Sequence, residues 1–93
     1  MATKRPGERA GLIPKEPLAR RIVQILEERG LSQTDAAPLV NQARSQLSRI
    51  KNGNLAGFSV ERLLGLLARL GNDVEIRTSK ARGKTGKVRL TIH

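Results

Sequence analysis

Residues 32–53 read as two short helices separated by a tight turn, and this unit limits what the chain can become more than any other stretch. Ser32, with Asp35 three residues on, resembles a capping box and opens the first of the two helices. Ala36, Ala37 and Val40 provide its inward face. Asn41 suits the turn because Asn tolerates left-handed backbone better than most residues. The second helix is expected from about Ala43 to Lys51, with Leu47 and Ile50 toward a core and Asn52 and Gly53 closing it. Pro38 conflicts with a regular course. In the sixth helical position its ring meets the carbonyl of Thr34 and removes a hydrogen bond, at a cost of about 3 kcal/mol. The first helix is therefore either kinked there or ends early.

The flanks supply the support. Pro17 suits a first helical position, where its missing N–H costs nothing. Leu18, Ile22, Ile25 and Leu26 then form one helical stripe, and Gly30 stops it. Phe58 and Ser59 open a further helix as staple and N-cap. Its stripe is Val60, Leu63, Leu64, Leu67 and Leu70, with Gly71 at the end; Leu66 lies beside it as surplus apolar surface of the kind that marks a subunit contact. After Gly71 the period changes. Val74, Ile76 and Thr78 alternate with charged residues, as do Val88, Leu90 and Ile92, and a basic loop joins the two runs. That pattern predicts a short hairpin, which is marginal alone and must pack on the helices or pair with a second copy. The expected organisation is a flexible arm over 1–16, a helical domain over 17–71 and a basic hairpin or tail over 72–93 that serves dimerisation. The fold class is mainly α, with four to five helices and a short C-terminal β-hairpin.

Ninety-three residues make one domain, with a modest core and little room for a buried catalytic cleft. The chain has no Cys, which excludes disulfides and thiolate metal sites. Its one His is the last residue, His93, where a solvated role outweighs a catalytic or ligating one. No catalytic, cofactor-binding or metal-binding residue is assigned. No apolar run approaches the roughly 20 residues that span a bilayer, and no signal-peptide pattern opens the chain, so the expectation is a cytoplasmic protein with no membrane partner.

The net charge of +10 is unevenly spread. Residues 17–42 are neutral, 43–53 carry +3 without an acid, 54–76 carry −1, and 77–93 carry +6 without an acid. A near-neutral body with its excess on one short helix and the ends is a footprint for a polyanion. With Leu47 and Ile50 inward, Arg44, Ser45, Ser48 and Arg49 face outward, with Gln46 and Lys51 toward the flanks. An Arg near the helix N-terminus can grip guanine O6 and N7 in the major groove of duplex DNA. Arg44, Ser45, Gln46, Ser48 and Arg49 are therefore the expected base-reading residues. Gln33 is expected to meet a phosphate at the start of the preceding helix, and Lys51 and Asn52 to clamp the DNA backbone on the other flank.

Gln33 through Gly53, with Ala37, Leu47, Ser48, Arg49 and Gly53 in place, resembles the XRE-type helix-turn-helix family of phage-repressor-like regulators. The stretches Gly57–Leu64 and Leu70–Ile76 are similar to a branch that includes HigA-type antitoxins. The resemblance covers about residues 17–76. It implies a helical, repressor-like homodimer that binds a palindromic double-stranded DNA operator, and in antitoxin members a cognate toxin partner. It also implies that Gln33 and Asn52 contact the DNA backbone while Arg44, Ser45, Gln46 and Arg49 read bases. Asn41 in place of the usual turn Gly, Ala43 in place of a capping Ser or Thr, and Pro38 depart from the pattern. The function implied is autoregulatory transcriptional repression, as the antitoxin of a toxin–antitoxin pair. The alternatives are a mainly toxin-neutralising protein with secondary DNA binding, and a phage or prophage regulator without a toxin. A small ribonuclease or RNA-binding protein is disfavoured: single-strand RNA readers stack bases on aromatic side chains, and Phe58 is the chain's only one. The chain is not read as an enzyme.

Overall fold

The computed structural model describes residues 13–92, and among them the chain forms four helices. These are α1 (Lys15–Glu28), α2 (Gln33–Leu39), α3 (Arg44–Lys51) and α4 (Val60–Arg69). α1 packs against α4 and α3, and α2 packs against α3. Aliphatic side chains from all four, with Leu55 and Phe58 from the α3–α4 loop, make one core, and no polar or charged residue among those described is fully buried.

α1 starts two residues before Pro17, so Pro17 is its third residue. The position remains compatible, because N–H groups of the first turn have no intrahelical partner. The expected arm over 1–16 is thus shortened from its C-terminal side, and residues 1–12 lie outside the described residues. Leu18, Ala19, Ile22, Ile25 and Leu26 form the buried face of α1.

All four helices end in the same way. The residue after the cap takes a positive φ at Gly30, Asn41, Gly53 and Gly71. The following N–H then turns back to a last-turn carbonyl: Leu31 to Leu26 (2.8 Å), Gln42 to Ala37 (3.0 Å), Asn54 to Arg49 (2.9 Å) and Asn72 to Leu67 (3.0 Å). This is the Schellman arrangement. Asn41, at φ 54, fills the role that Gly fills at the other three ends. Of the two courses open to α2, it takes the shorter: Pro38 stands in its last turn and the helix stops at Leu39.

Two expectations need correction. Leu66 is buried, together with Leu63, Leu67 and Leu70, and is not surplus surface. Those four fall at i, i+3, i+4 and i+7, so the inner face of α4 is rotated from the expected one and leaves Val60 and Leu64 partly buried. The β-hairpin is not formed either: residues 72–92 contain no strand. A lone two-stranded ribbon has too little to bury, and here its joining loop would gather Lys80, Arg82 and Lys84 with no acid among them. Leu90 packs on the helical core, whereas Ile76 is 76% exposed and Val88 54%.

Candidate nucleic-acid interface

α3 is a helix held by one face. Leu47 and Ile50 are buried, Arg44, Ser45, Lys51 and Asn52 are exposed, and Gln46, Ser48 and Arg49 are half-buried. Its N-terminus is open. Ala43 has the extended backbone of a cap (φ −72, ψ 150) but no side-chain acceptor, so no side chain caps the first turn, where the Gln46 N–H turns to the Ala43 carbonyl at 2.9 Å. Arg44 and Ser45 stand at that uncapped end.

α2 is held differently. The Ser32 hydroxyl accepts a hydrogen bond from the Asp35 N–H at 3.0 Å, and the Asp35 carboxylate accepts from the Ser32 N–H at 3.4 Å. This reciprocal box places a carboxylate at the start of α2, which offsets part of the positive end expected to meet a phosphate there. Between the end of α1, the start of α2 and the flank of α3 that carries Arg44, Leu47 and Lys51 lies an open cleft of about 350 Å³. Gln33, Thr34, Arg44 and Lys51 line it, with Glu27 the acid on its wall. The structure thus brings Gln33, Arg44 and Lys51 into one place. Lys51 lies on the Gln33 side, not across α3 from it, and Asn52 sits at the far end of α3, outside the cleft.

Arg49 has other partners. Its Nη2 donates to the carbonyl of Ala56, and its guanidinium lies 5.2 Å from the centre of the buried Phe58 ring. Arg62, on the first turn of α4, lies 4.7 Å from the same ring and donates to Gln42 Oε1 in the α2–α3 turn. Together the two arginines tie the helix-turn-helix unit to α4 through one aromatic side chain. Sequence reasoning passed over Arg62 and Gln42. The available signal for Arg62 was its i+4 spacing from Phe58, which on a helix start brings the two side chains together. Gln42 gave no such signal, since its partner lies twenty residues away. Ser48 stands beside Arg44 on the outer side of α3. Gln46 lies on a flank, where its Oε1 is shielded from solvent and has no hydrogen-bond partner among the described residues.

The surface that results is an uncapped helix end bearing Arg44 and Ser45, beside a cleft lined by two cations, one acid and three amide or hydroxyl residues. Among the described residues no helix is long and apolar enough to cross a membrane.

Comparison with known proteins bears on this surface. The family described as "Helix-turn-helix domain" matches residues 6–79. A solved structure titled "Putative XRE Family Transcriptional Regulator" superposes with a TM-score of 0.73 at 35% identity, covering 84% of this chain and 88% of that one. No curated protein matches.

Proposed function

This chain belongs to the XRE-type helix-turn-helix family of DNA-binding transcription regulators, and from that membership we propose that it is a sequence-specific repressor that binds a palindromic operator as a homodimer and represses its own transcript. The observation that carries the reading is the open N-terminal end of α3. Arg44 and Ser45 are exposed there, no acid lies on the helix, and the adjoining cleft holds Gln33 and Lys51. In the proposed complex Arg44 and Ser45 read base edges, with Gln46 and Ser48 beside them. Gln33, Lys51 and Asn52 hold the DNA backbone, with Gln33 and Lys51 gripping a phosphate in the shared cleft. Arg49 acts first as a brace. Its remaining N–H donors serve a base or phosphate at the edge of the surface.

The test is a titration of the full chain against its own upstream DNA and against a scrambled duplex of equal length. Arg44→Ala is expected to cost about 1–3 kcal/mol on the specific duplex and to relax sequence preference. Equal, weak binding to both duplexes, unchanged in Arg44→Ala, refutes the reading.

The narrower antitoxin role draws support from the Gly57–Ile76 stretch alone, which builds the start of α4 and its exit. Its test is co-purification with the product of an adjacent gene, and loss of that product's toxicity when the two are co-expressed.

A further inference from the structure

The segment after α4 has two features that DNA reading leaves unused. The first is its backbone. From Asp73 to Ile92 the chain makes neither helix nor strand, and none of its backbone groups bonds to another backbone group among the described residues. The second is its pattern. Asp73, Glu75 and Arg77 alternate with Val74, Ile76 and Thr78, and Lys87, Arg89 and Thr91 alternate with Val88, Leu90 and Ile92. Each stretch, when extended, has one apolar face and one polar face, and β-branched residues that favour strands. The polar faces differ in sign. The first has two acids and one base; the second has two bases and no acid. The contact now made by the first, Arg77 with Glu75 at 2.7 Å, joins side chains that are 82% and 66% exposed, and such pairs are readily exchanged.

We propose that these stretches pair between two copies of the chain: residues 73–78 of one form a β-ladder with residues 87–92 of the other, and the reciprocal ladder closes a two-fold dimer. The proposal specifies the dimeric part of the preceding reading and rests on it. Charge selects this pairing. A ladder between the two 87–92 stretches gathers four bases with no acid, whereas a parallel exchanged ladder, with residue 73 opposite residue 87, sets Lys87 and Arg89 against Asp73 and Glu75. The apolar faces then cover Ile76 and Val88, two of the most exposed large aliphatics among the described residues. Reciprocity is what one chain lacks. Folded on itself, the segment gives one thin ribbon; exchanged, it gives two ladders related by symmetry and able to share an apolar face.

Sedimentation velocity on the full chain without DNA tests the idea, using Asp73→Lys with Glu75→Lys as one variant and Lys87→Glu with Arg89→Glu as the other. Glu75 is exposed and the variants leave the helical core untouched, which the far-UV circular dichroism of each checks. The wild type is expected to be a dimer, and each variant alone to dimerise about tenfold more weakly. An equimolar mixture of the two variants is expected to regain wild-type affinity, because both ladders of the mixed dimer again bring opposite charges together. A wild-type monomer, variants that dimerise like the wild type, or a mixture that gains nothing would each overturn the proposal. A ribbon closed within one chain predicts the last result. Since no DNA is present, these outcomes are separate from those of the operator titration.

Discussion

The open end of α3 can be closed by one atom. Ala43→Ser should stabilise the domain by about 1 kcal/mol, the usual worth of an N-cap hydroxyl. The backbone at Ala43 already has cap geometry, and the side chain is exposed, so the hydroxyl needs no space. Gln46 stands at the third helical position, so the substitution completes a capping box: the new hydroxyl accepts from the Gln46 N–H in place of the Ala43 carbonyl it now meets at 2.9 Å, and Gln46 Oε1, now shielded and unpartnered, can accept from the N–H of residue 43. Two of the other three helix starts show the bond at work, with Ser32 and Ser59 accepting from Asp35 and Arg62 at 3.0 Å each. For a domain of this size about 1 kcal/mol is a rise of about 4–8 °C in Tm. Thermal unfolding followed by circular dichroism at fixed chain concentration reads it, with Ser32→Ala and Ser59→Ala as reference losses of similar size. Ala43→Asp separates stability from function. Its carboxylate caps the helix and also favours the positive end of the dipole, so it should stabilise at least as well. It also puts an anion beside Arg44 on the proposed DNA surface, and operator affinity should fall about tenfold, while Ala43→Ser leaves affinity unchanged. If Ser and Asp fail to raise Tm while the two reference variants lower it, α3 does not start at residue 44 in solution. If Asp raises Tm without weakening DNA binding, Arg44 does not face a phosphate or a base.

Gln46→Met removes the shielded, unpartnered carbonyl and should stabilise by about 1 kcal/mol in urea unfolding, while operator affinity falls because the amide is lost from the reading surface. Asn41→Ala should cost about 1 kcal/mol, because it places an ordinary L-residue at φ 54; Asn41→Gly should be close to neutral, and equal losses from both would show that the turn matters for another reason. Replacing Lys80, Arg82 and Lys84 together with Ala should lower the slope of log affinity against log salt by about 0.9 per phosphate that the tail holds. An unchanged slope would leave the tail out of DNA binding.

Much of the fold was readable because helix ends are local chemistry. Gly30, Gly53 and Gly71 each marked a stop, Asn41 marked the turn, and Ser32 and Ser59 marked starts. All of these depend on neighbours within a few residues, and the structure bears each of them out. Errors arose where a face had to be chosen. The stripe on α4 could be drawn through Leu64 or through Leu66, since both satisfy a helical period. The choice is made by α1, which packs across α4 from more than thirty residues away. Leu55 gave no periodic signal because it belongs to no helix, yet it is buried. The hairpin failed for a related reason. Alternation fixes which side chains share a face of an extended segment, but it does not say what the segment pairs with.

The two arginines of α3 show the same limit at the interface. By charge and by position on the helix they looked equivalent, and both were expected to read bases. Arg44 lies on the first turn, near the cleft, and keeps its exposure. Arg49 lies one turn further on, where the α3–α4 loop folds back and offers both the Ala56 carbonyl and the face of Phe58. A guanidinium has five donors, so the brace does not consume Arg49, but it fixes where the remaining donors point. An excess of positive charge on a helix therefore locates a surface for an anion. Which cation does the reading depends on what the next loop offers each of them.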